Sequence, residues 1–441
     1  MASTYLQRTE SAGNRRTFTW SAWVKRTKTG ASQFLAACSY SSSDESYFFF
    51  NGSDKLIWQS SSGSQGDVQT NRVFRDTNAW YHIVLAVDTT QATASNRIRF
   101  YVNGVEETSF SNASYPNQDT QLYWNVGGTY YPRIGRRHAA SDYFDGVMSH
   151  VAHIDGTQES PAIFGETDST TGEWNIKTSI TPSSGWGTNG YWILKDGNSV
   201  TDQSGQGNNW TVQGGSVTKS EDNPSNVFAT WSPLMAKANI NLIHGNTSIR
   251  PQANSIDFQT ASTLAFKTGK FYAEFKYLEN DGHQMYGIST TGGAMELKRN
   301  TQFPGQTTTG VAMYASNGSI YENNSATSYG SGWGNNSIIM MAVDADNNKI
   351  YFGNNGTWYN SGNPSTGANG YSFNATNLAG FKYMVAGNGT VGYDNTDANF
   401  GNGYIGTTAV SSAGSNASGN GIFEYDVPTG YTALCTKGLN S

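Results

Sequence analysis

Residues 83–105 read IVLAVDTTQATASNRIRFYVNGV, and residues 338–358 read IIMMAVDADNNKIYFGNNGTW. Both run through an apolar segment to Val-Asp, cross a polar turn, place a basic residue before Ile-x-Phe and close on Asn-Gly. In the first copy Ile83, Leu85 and Val87 share one strand face while Val84 and Ala86 share the other. A strand apolar on both faces belongs inside a sandwich. In the returning strand Ile98, Phe100 and Val102 alternate with Arg97, Arg99 and Tyr101, which gives one packed face and one wet face. Asn103-Gly104 suits a type I′ turn, whose two central residues need positive φ. The second copy repeats this with Ile350 and Phe352 pointing in, Lys349 and Tyr351 pointing out, and Asn355-Gly356 at the turn. Each copy reads as a strand–hairpin–strand unit of an antiparallel sandwich, so the duplication predicts two sandwiches.

Composition agrees. A chain of 441 residues accommodates two or three domains with real cores. Charged residues make up 14% against the usual ~25%, and aromatics reach 13%. Ser, Thr, Asn, Gln and 50 glycines take the place of charge. That mix competes with helical hydrogen bonding and favours short strands joined by turns. A net charge of −6 argues against nucleic acid as the main partner, since phosphate binding needs a basic footprint. The opening MASTYLQRTESAGNRR has no apolar core of a secretory signal, and no apolar run approaches the ~20 residues of a membrane span. Cys38 and Cys435 stand in strand-like contexts and read as two buried thiols rather than a bridge.

The first sandwich opens at TFTWSAWVKRTKTG, where Phe18, Trp20, Ala22 and Val24 face one way, and closes near YFDGVMSHVAHIDG. This gives a first domain over residues 1–157, a turn-rich connecting subdomain over 158–235 and a second sandwich over 236–441. The second is marked by GKFYAEFKYLE, in which Phe271, Ala273 and Phe275 alternate with Tyr272, Glu274 and Lys276.

These pieces carry a resemblance. WSAWVKR, AWYHIVLAVD, RIRFYVNG and DGVMSHVAHIDG, in that order, are similar to the laminin-G/concanavalin A-like (jelly-roll) family. GKFYAEFKY, MYGIS, VDADNNKIYFGNNGTW and ANFGNG resemble a SPRY domain. DQSGQGNNW, SEDNPSNVFATWSPL and VPTGYTALCTKGL resemble large virion proteins of marine tailed phages (cyanophage-like), which join the two modules. The resemblance implies a phage virion structural protein, assembled in the host cytoplasm and then extracellular. Its expected role is host-surface adhesion as a tail fibre, tail tip or head-projecting fibre. The alternatives are an architectural capsid-decorating or cement protein, or a cellular carbohydrate-binding protein. Against the family pattern, IGTTAVSSAGSNASGNG (405–421) intervenes before the Pro-Thr-Gly-Tyr ending and is expected to form a long surface loop.

No segment reads as catalytic, and no cofactor is expected. The glucanase pattern Glu-x-Asp-x-x-Glu is absent, and Glu279-Asn280-Asp281 and Glu424-Tyr425-Asp426 lack its strand context. Asp344, Asp346 and Asn348 have the first three spacings of a calcium loop but lack its later glycine and glutamate, leaving a weak calcium candidate. His150 and His153, three apart on a strand, cannot share an ion. Gly387 to Gly392 matches GxGxxG with no helix to follow. What remains is recognition by rings in turn-rich loops. Trp124, Tyr130, Tyr131, Trp358 and Tyr359 are the glycan-binding candidates. The expected partners are other virion proteins, a host-surface glycan or protein, and further copies of the chain, with a trimer as the first expectation.

Overall fold

A computed structural model describes residues 3–440 except 140, 198, 253–257, 279–281, 300–301 and 390–393. It is nearly all-β, with 41% strand and 5% helix, and among the described strands the pairing is antiparallel apart from Thr432–Ala433, which runs parallel to Lys270–Tyr277. The chain divides into two compact units, Met1–Lys219 and Ser220–Ser441.

Unit 1 packs an eight-stranded sheet against a six-stranded one. The first is ordered Phe110–Ser114, Asp67–Val73, Lys55–Ser60, Glu45–Phe50, Gln33–Ser39, Tyr131–Ile134, Tyr5–Gln7 and Thr211–Gln213. The second is ordered Tyr191–Ile193, Gly146–Asp155, Thr17–Arg26, Tyr81–Asp88, Ile98–Val102 and Val105–Glu106. Trp20, Phe48, Trp58, Leu85 and Phe100 fill the space between them. The doubly apolar strand behaves as its pattern requires. Ile83, Leu85 and Val87 enter that core, while Val84 packs on Ala152, Ile154, Phe164 and Trp192 behind the sheet. Asn103 and Gly104 have φ of 49° and 79°, and Val102 pairs with Val105 across the two-residue turn. No side chain fits at Gly104 without displacing its neighbour, because a Cβ there would lie 2.5 Å from the Trp174 ring.

Unit 2 repeats the architecture. One sheet runs Ile240–Ile243, Ser248–Pro251, Thr396–Asn399, Lys270–Tyr277, Ile338–Asp344, Lys349–Asn354 and Thr357–Trp358, with Thr432–Ala433 pairing in parallel to Lys270–Tyr277. The other runs Gln259–Phe266, Lys382–Asn388, Gln284–Thr290, Gly310–Tyr314, Ser319–Glu322 and Ser325–Ser328. Asn355 and Gly356 repeat the turn at φ 48° and 86°. Ile350 and Phe352 enter the core as expected.

Two expectations meet a different structure. The stretch 158–235 is shared between the units rather than set apart, because its apolar residues complete both cores: Tyr191, Ile193 and Trp210 in unit 1, Trp231 in unit 2. Tyr351, Tyr272 and Glu274 do point away from the core of unit 2, but they are not wet. Phe423, Val427 and Tyr431 cover them in a second apolar layer. Glu274 anchors that layer, accepting the backbone N–H groups of Glu424 at 2.9 Å and Tyr425 at 2.8 Å and the Tyr272 hydroxyl at 3.0 Å. The inserted stretch forms a two-strand ribbon, Tyr404–Ile405 with Thr408–Ala409, and then a mostly exposed loop tied down where Asp426 accepts Ser415 N–H and Oγ–H. Cys38 and Cys435 are free and buried. Among the described residues no helix is long and apolar enough to cross a membrane.

Candidate functional site

The strand Gln33–Ser39 is joined to Glu45–Phe50 by a tight turn in which Tyr40 N–H bonds Asp44 C=O at 3.1 Å and Asp44 N–H bonds Ser41 Oγ at 3.1 Å. The turn lifts Tyr40 out of the sheet, leaving it 55% exposed. Beside it runs the loop 121–131, fixed from below by Arg15, which donates to Leu122 C=O at 2.8 Å and Gln121 C=O at 3.2 Å. Gly127 and Gly128, with φ of 78° and 66°, bend this loop back so that Tyr130 meets Tyr40. The Tyr40 and Tyr130 rings lie 5.6 Å apart, and Tyr123 stacks on Tyr130 at 5.9 Å with an interplanar angle of 11°. The Tyr123 hydroxyl bonds the Asp44 carboxylate, which, ahead of burial, raises the phenol's pKa. Three rings and a carboxylate thus form one half-exposed shelf at the edge of unit 1. Rings of this kind offer flat apolar faces with polar groups at their margin, the usual make-up of a small-ligand site.

The sequence candidates separate. Tyr130 belongs to the shelf. Tyr131 is half-buried next to it, with the Arg133 guanidinium 5.8 Å from its ring. Trp124 is turned the other way. It is buried against Phe18 at 5.1 Å and serves the core. Tyr40 and Tyr123 were missed, although both stand beside turn residues. Trp358 in unit 2 lines a cavity of about 320 Å³ with Met340, Gly356, Gly414, Glu424, Tyr425 and Asp426. Tyr359 packs beside Gly330, where an added Cβ would lie 2.5 Å from its ring.

At the calcium candidate, the acids already have protein partners. Asp344 pairs with Lys270 at 3.1 Å and accepts Asn347 N–H at 3.0 Å, and Asp346 accepts Gly269 N–H at 2.9 Å. Asn348 has φ 54° and shapes the turn. Among the described residues no group of three His, Cys, Asp or Glu is arranged to hold a metal. His150, at φ 50° in a bulge, faces Trp192, while His153 lies in the core beside Phe18 and Trp124. Glu279, Asp281 and the end of the GxGxxG match lie outside the described residues.

Comparison with known proteins gives matches to parts of the chain. A family model described as the concanavalin A-like lectin/glucanases superfamily matches residues 2–164, most of unit 1. Among solved structures, the SPRY domain of human HERC1 is 14% identical and covers 38% of this chain and 96% of its own, with a TM-score of 0.31. The TRIM65 PSpry domain is also 14% identical, covering 39% and 91%, at 0.30. Stonustoxin is 12% identical, covering 58% of this chain and 33% of its own, at 0.28. No curated protein matches.

Proposed function

We propose that the chain is a non-catalytic saccharide-binding adhesin of a phage virion, with the Tyr40–Tyr123–Tyr130 shelf as its ligand surface. The shelf is the observation that carries this reading: Tyr123 stacked on Tyr130, Tyr40 tilted against it at 39°, and a carboxylate at their margin, half-exposed, in a unit matching a lectin/glucanase family model. The virion setting rests on the sequence resemblance, as do virion-protein partners and a trimeric assembly that multiplies weak single contacts.

A glycan array tests the reading. Tyr40→Ala and Tyr130→Ala should each weaken binding of the captured glycan roughly tenfold, about 1.4 kcal/mol, while Trp358→Ala leaves it unchanged. An array on which the intact protein binds nothing, with Tyr40→Ala altering only its oligomeric mass, would make the shelf a subunit contact instead. The protein should also release no reducing sugar from any glycan it binds. Glu424, at the best-placed acidic stretch, lies by Tyr425, whose N–H bonds buried Glu274, and Asp426 is occupied by Ser415. Sugar release abolished by Glu424→Gln would overturn this.

A further inference from the structure

The inserted stretch 405–421 walls the cavity of about 320 Å³ beside Trp358 in unit 2, to which it contributes Gly414. It is folded back on the segment 423–427 by backbone bonds, Gly414 N–H to Phe423 C=O at 3.0 Å and Val427 N–H to Ser415 C=O at 2.8 Å. Asp426 ties the same crossing, accepting Ser415 N–H at 2.6 Å and Oγ–H at 2.9 Å. The approach needs a glycine, because a Cβ on Gly414 would lie 2.2 Å from the Tyr425 carbonyl carbon.

Two rings and a thioether make the apolar part of the lining. Trp358 pairs with Gly353 just past the Asn355-Gly356 turn and crosses Tyr272 and Tyr351 nearly at right angles, with centroids at 6.3 and 6.5 Å. Tyr425 lies against the same turn, its ring 3.1 Å from where a Cβ on Gly356 would stand, and its N–H is fixed by Glu274 at 2.8 Å. Both rings are half-buried, and Met340 is buried. Every charged side chain on the lining is a carboxylate. Asp426 is engaged by Ser415, whereas the half-buried Glu424 carboxylate takes no bond from any described residue. Its charge reaches the Tyr425 phenol, whose pKa is raised first by burial and then by Glu424.

An ammonium group gains from both parts of such a lining at once. Ring faces attract it, a half-buried carboxylate pairs with it, and the methylenes behind it cover apolar surface. A neutral alkyl chain would gain only the rings, and an anion would meet two carboxylates. We infer that this cavity is a second ligand site, taking an alkylammonium group of the kind a lysine side chain or a polyamine carries, with its stem on Trp358, Tyr425 and Met340 and its charge on Glu424. The site uses other residues in the other unit, and it stands whatever the tyrosine shelf binds.

Fluorescence anisotropy of the intact protein at low salt compares dansylcadaverine with dansyl pentylamide, which lacks the terminal amine. Expected is roughly tenfold tighter binding of the amine, a preference that shrinks as salt is raised. Glu424→Gln should remove most of that preference without changing the circular dichroism spectrum, since this carboxylate carries no bond of the fold, and Glu424→Asp should retain part of it. Glu173→Gln, which removes an exposed acid of unit 1, should leave the preference whole, as should Tyr40→Ala. Displacement of the probe by spermidine or by Nα-acetyl-lysine amide upholds the site, and the stronger competitor identifies the source of the ammonium group. Equal binding of the two dansyl compounds, binding of neither, full preference in Glu424→Gln, or an equal loss in Glu173→Gln, overturns the proposal. So does a probe that neither amine displaces, or that Nα-acetyl-norleucine amide displaces as well as its lysine counterpart.

Discussion

Asp54→Ala should destabilise unit 1 by about 3–5 kcal/mol, the cost of stranding a buried charge. Arg26 lies at the end of the strand Thr17–Arg26 with its side chain wholly enclosed. Its guanidinium donates to Asp54 Oδ1 at 3.0 Å, Phe74 C=O at 2.6 Å and Gln33 Oε1 at 3.2 Å, and sits 4.4 Å from the Phe50 ring. Asp54 also accepts Gly30 N–H at 2.8 Å and Arg75 Nε at 3.1 Å. Burial opposes its ionisation, yet those hydrogen bonds and the two guanidiniums hold its pKa below the usual value. Removing the carboxylate leaves Arg26 charged in an apolar setting and places alanine at φ 63°, a conformation it tolerates poorly. Asp54→Asn keeps an acceptor and a residue suited to that φ, so it should cost clearly less. Urea unfolding of the three proteins decides the matter, and an alanine variant within 1 kcal/mol of the parent would show that the pair contributes little.

Acid should weaken the same unit. Trp174 Nε1–H donates to His82 Nδ1 at 3.0 Å, which fixes the ring as the Nε2–H tautomer donating to Ser21 Oγ at 2.9 Å. A second proton would have to face the tryptophan N–H. Burial, seconded by His150, lowers the His82 pKa to about 3, and burial seconded by Arg8 lowers that of His153 to about 3. Burial, seconded by Lys195, also lowers the His150 pKa to about 4, so the unfolded chain binds three protons that the folded chain refuses, and stability is lost as pH falls from 6.5 toward 3. Glu10 opposes this. Burial pushes it up to about 7 against the pull of Arg8, so its contribution is lost as pH rises from 4.5 to 7. Between pH 6.5 and 4.5 three imidazoles outweigh one carboxyl, a net of between one and two protons at about 1.4 kcal/mol each per pH unit, or roughly 4–5 kcal/mol across the window. Urea midpoints read by pulse-labelled hydrogen exchange on peptides from 17–88 should fall accordingly at pH 4.5. His82→Gln, which keeps an acceptor and a donor, should remove about half of the slope. A midpoint that is level or higher at pH 4.5 would refute the assignment.

Much of this architecture was legible in local pattern. Asn103-Gly104 and Asn355-Gly356 need only their own φ preferences to set a turn, and Ile98, Phe100 and Val102 need only period 2 to find the core. Tyr351 shows the limit. Its alternation correctly turned it out of the inner core, but its burial depends on Phe423 and Tyr431, some seventy to eighty residues onward (423 − 351, 431 − 351), which no local period encodes. Trp124 and Tyr130 share one turn-rich stretch, yet one stacks on Phe18 and the other on Tyr123, because the glycine bend between them reverses which way the chain faces.

The second apolar layer of unit 2 bears on how the protein is made. Tyr272 and Glu274 leave the ribosome 150 residues before Glu424 and Tyr425 arrive to satisfy them (424 − 274). At 5–20 residues per second that is a wait of roughly 8–30 s. Through this interval a wide sheet surface bearing Tyr272, Met340, Ala342 and Tyr351 has no lid, and the Glu274 carboxylate among them still lacks the two backbone N–H donors that the later segment brings. Unit 1 closes once Thr211–Gln213 reaches Tyr5–Gln7, so it can be complete while its successor is still open. Growing chains crowded on one messenger would then meet through their unfinished second halves, and any chaperone attending synthesis has its natural foothold there.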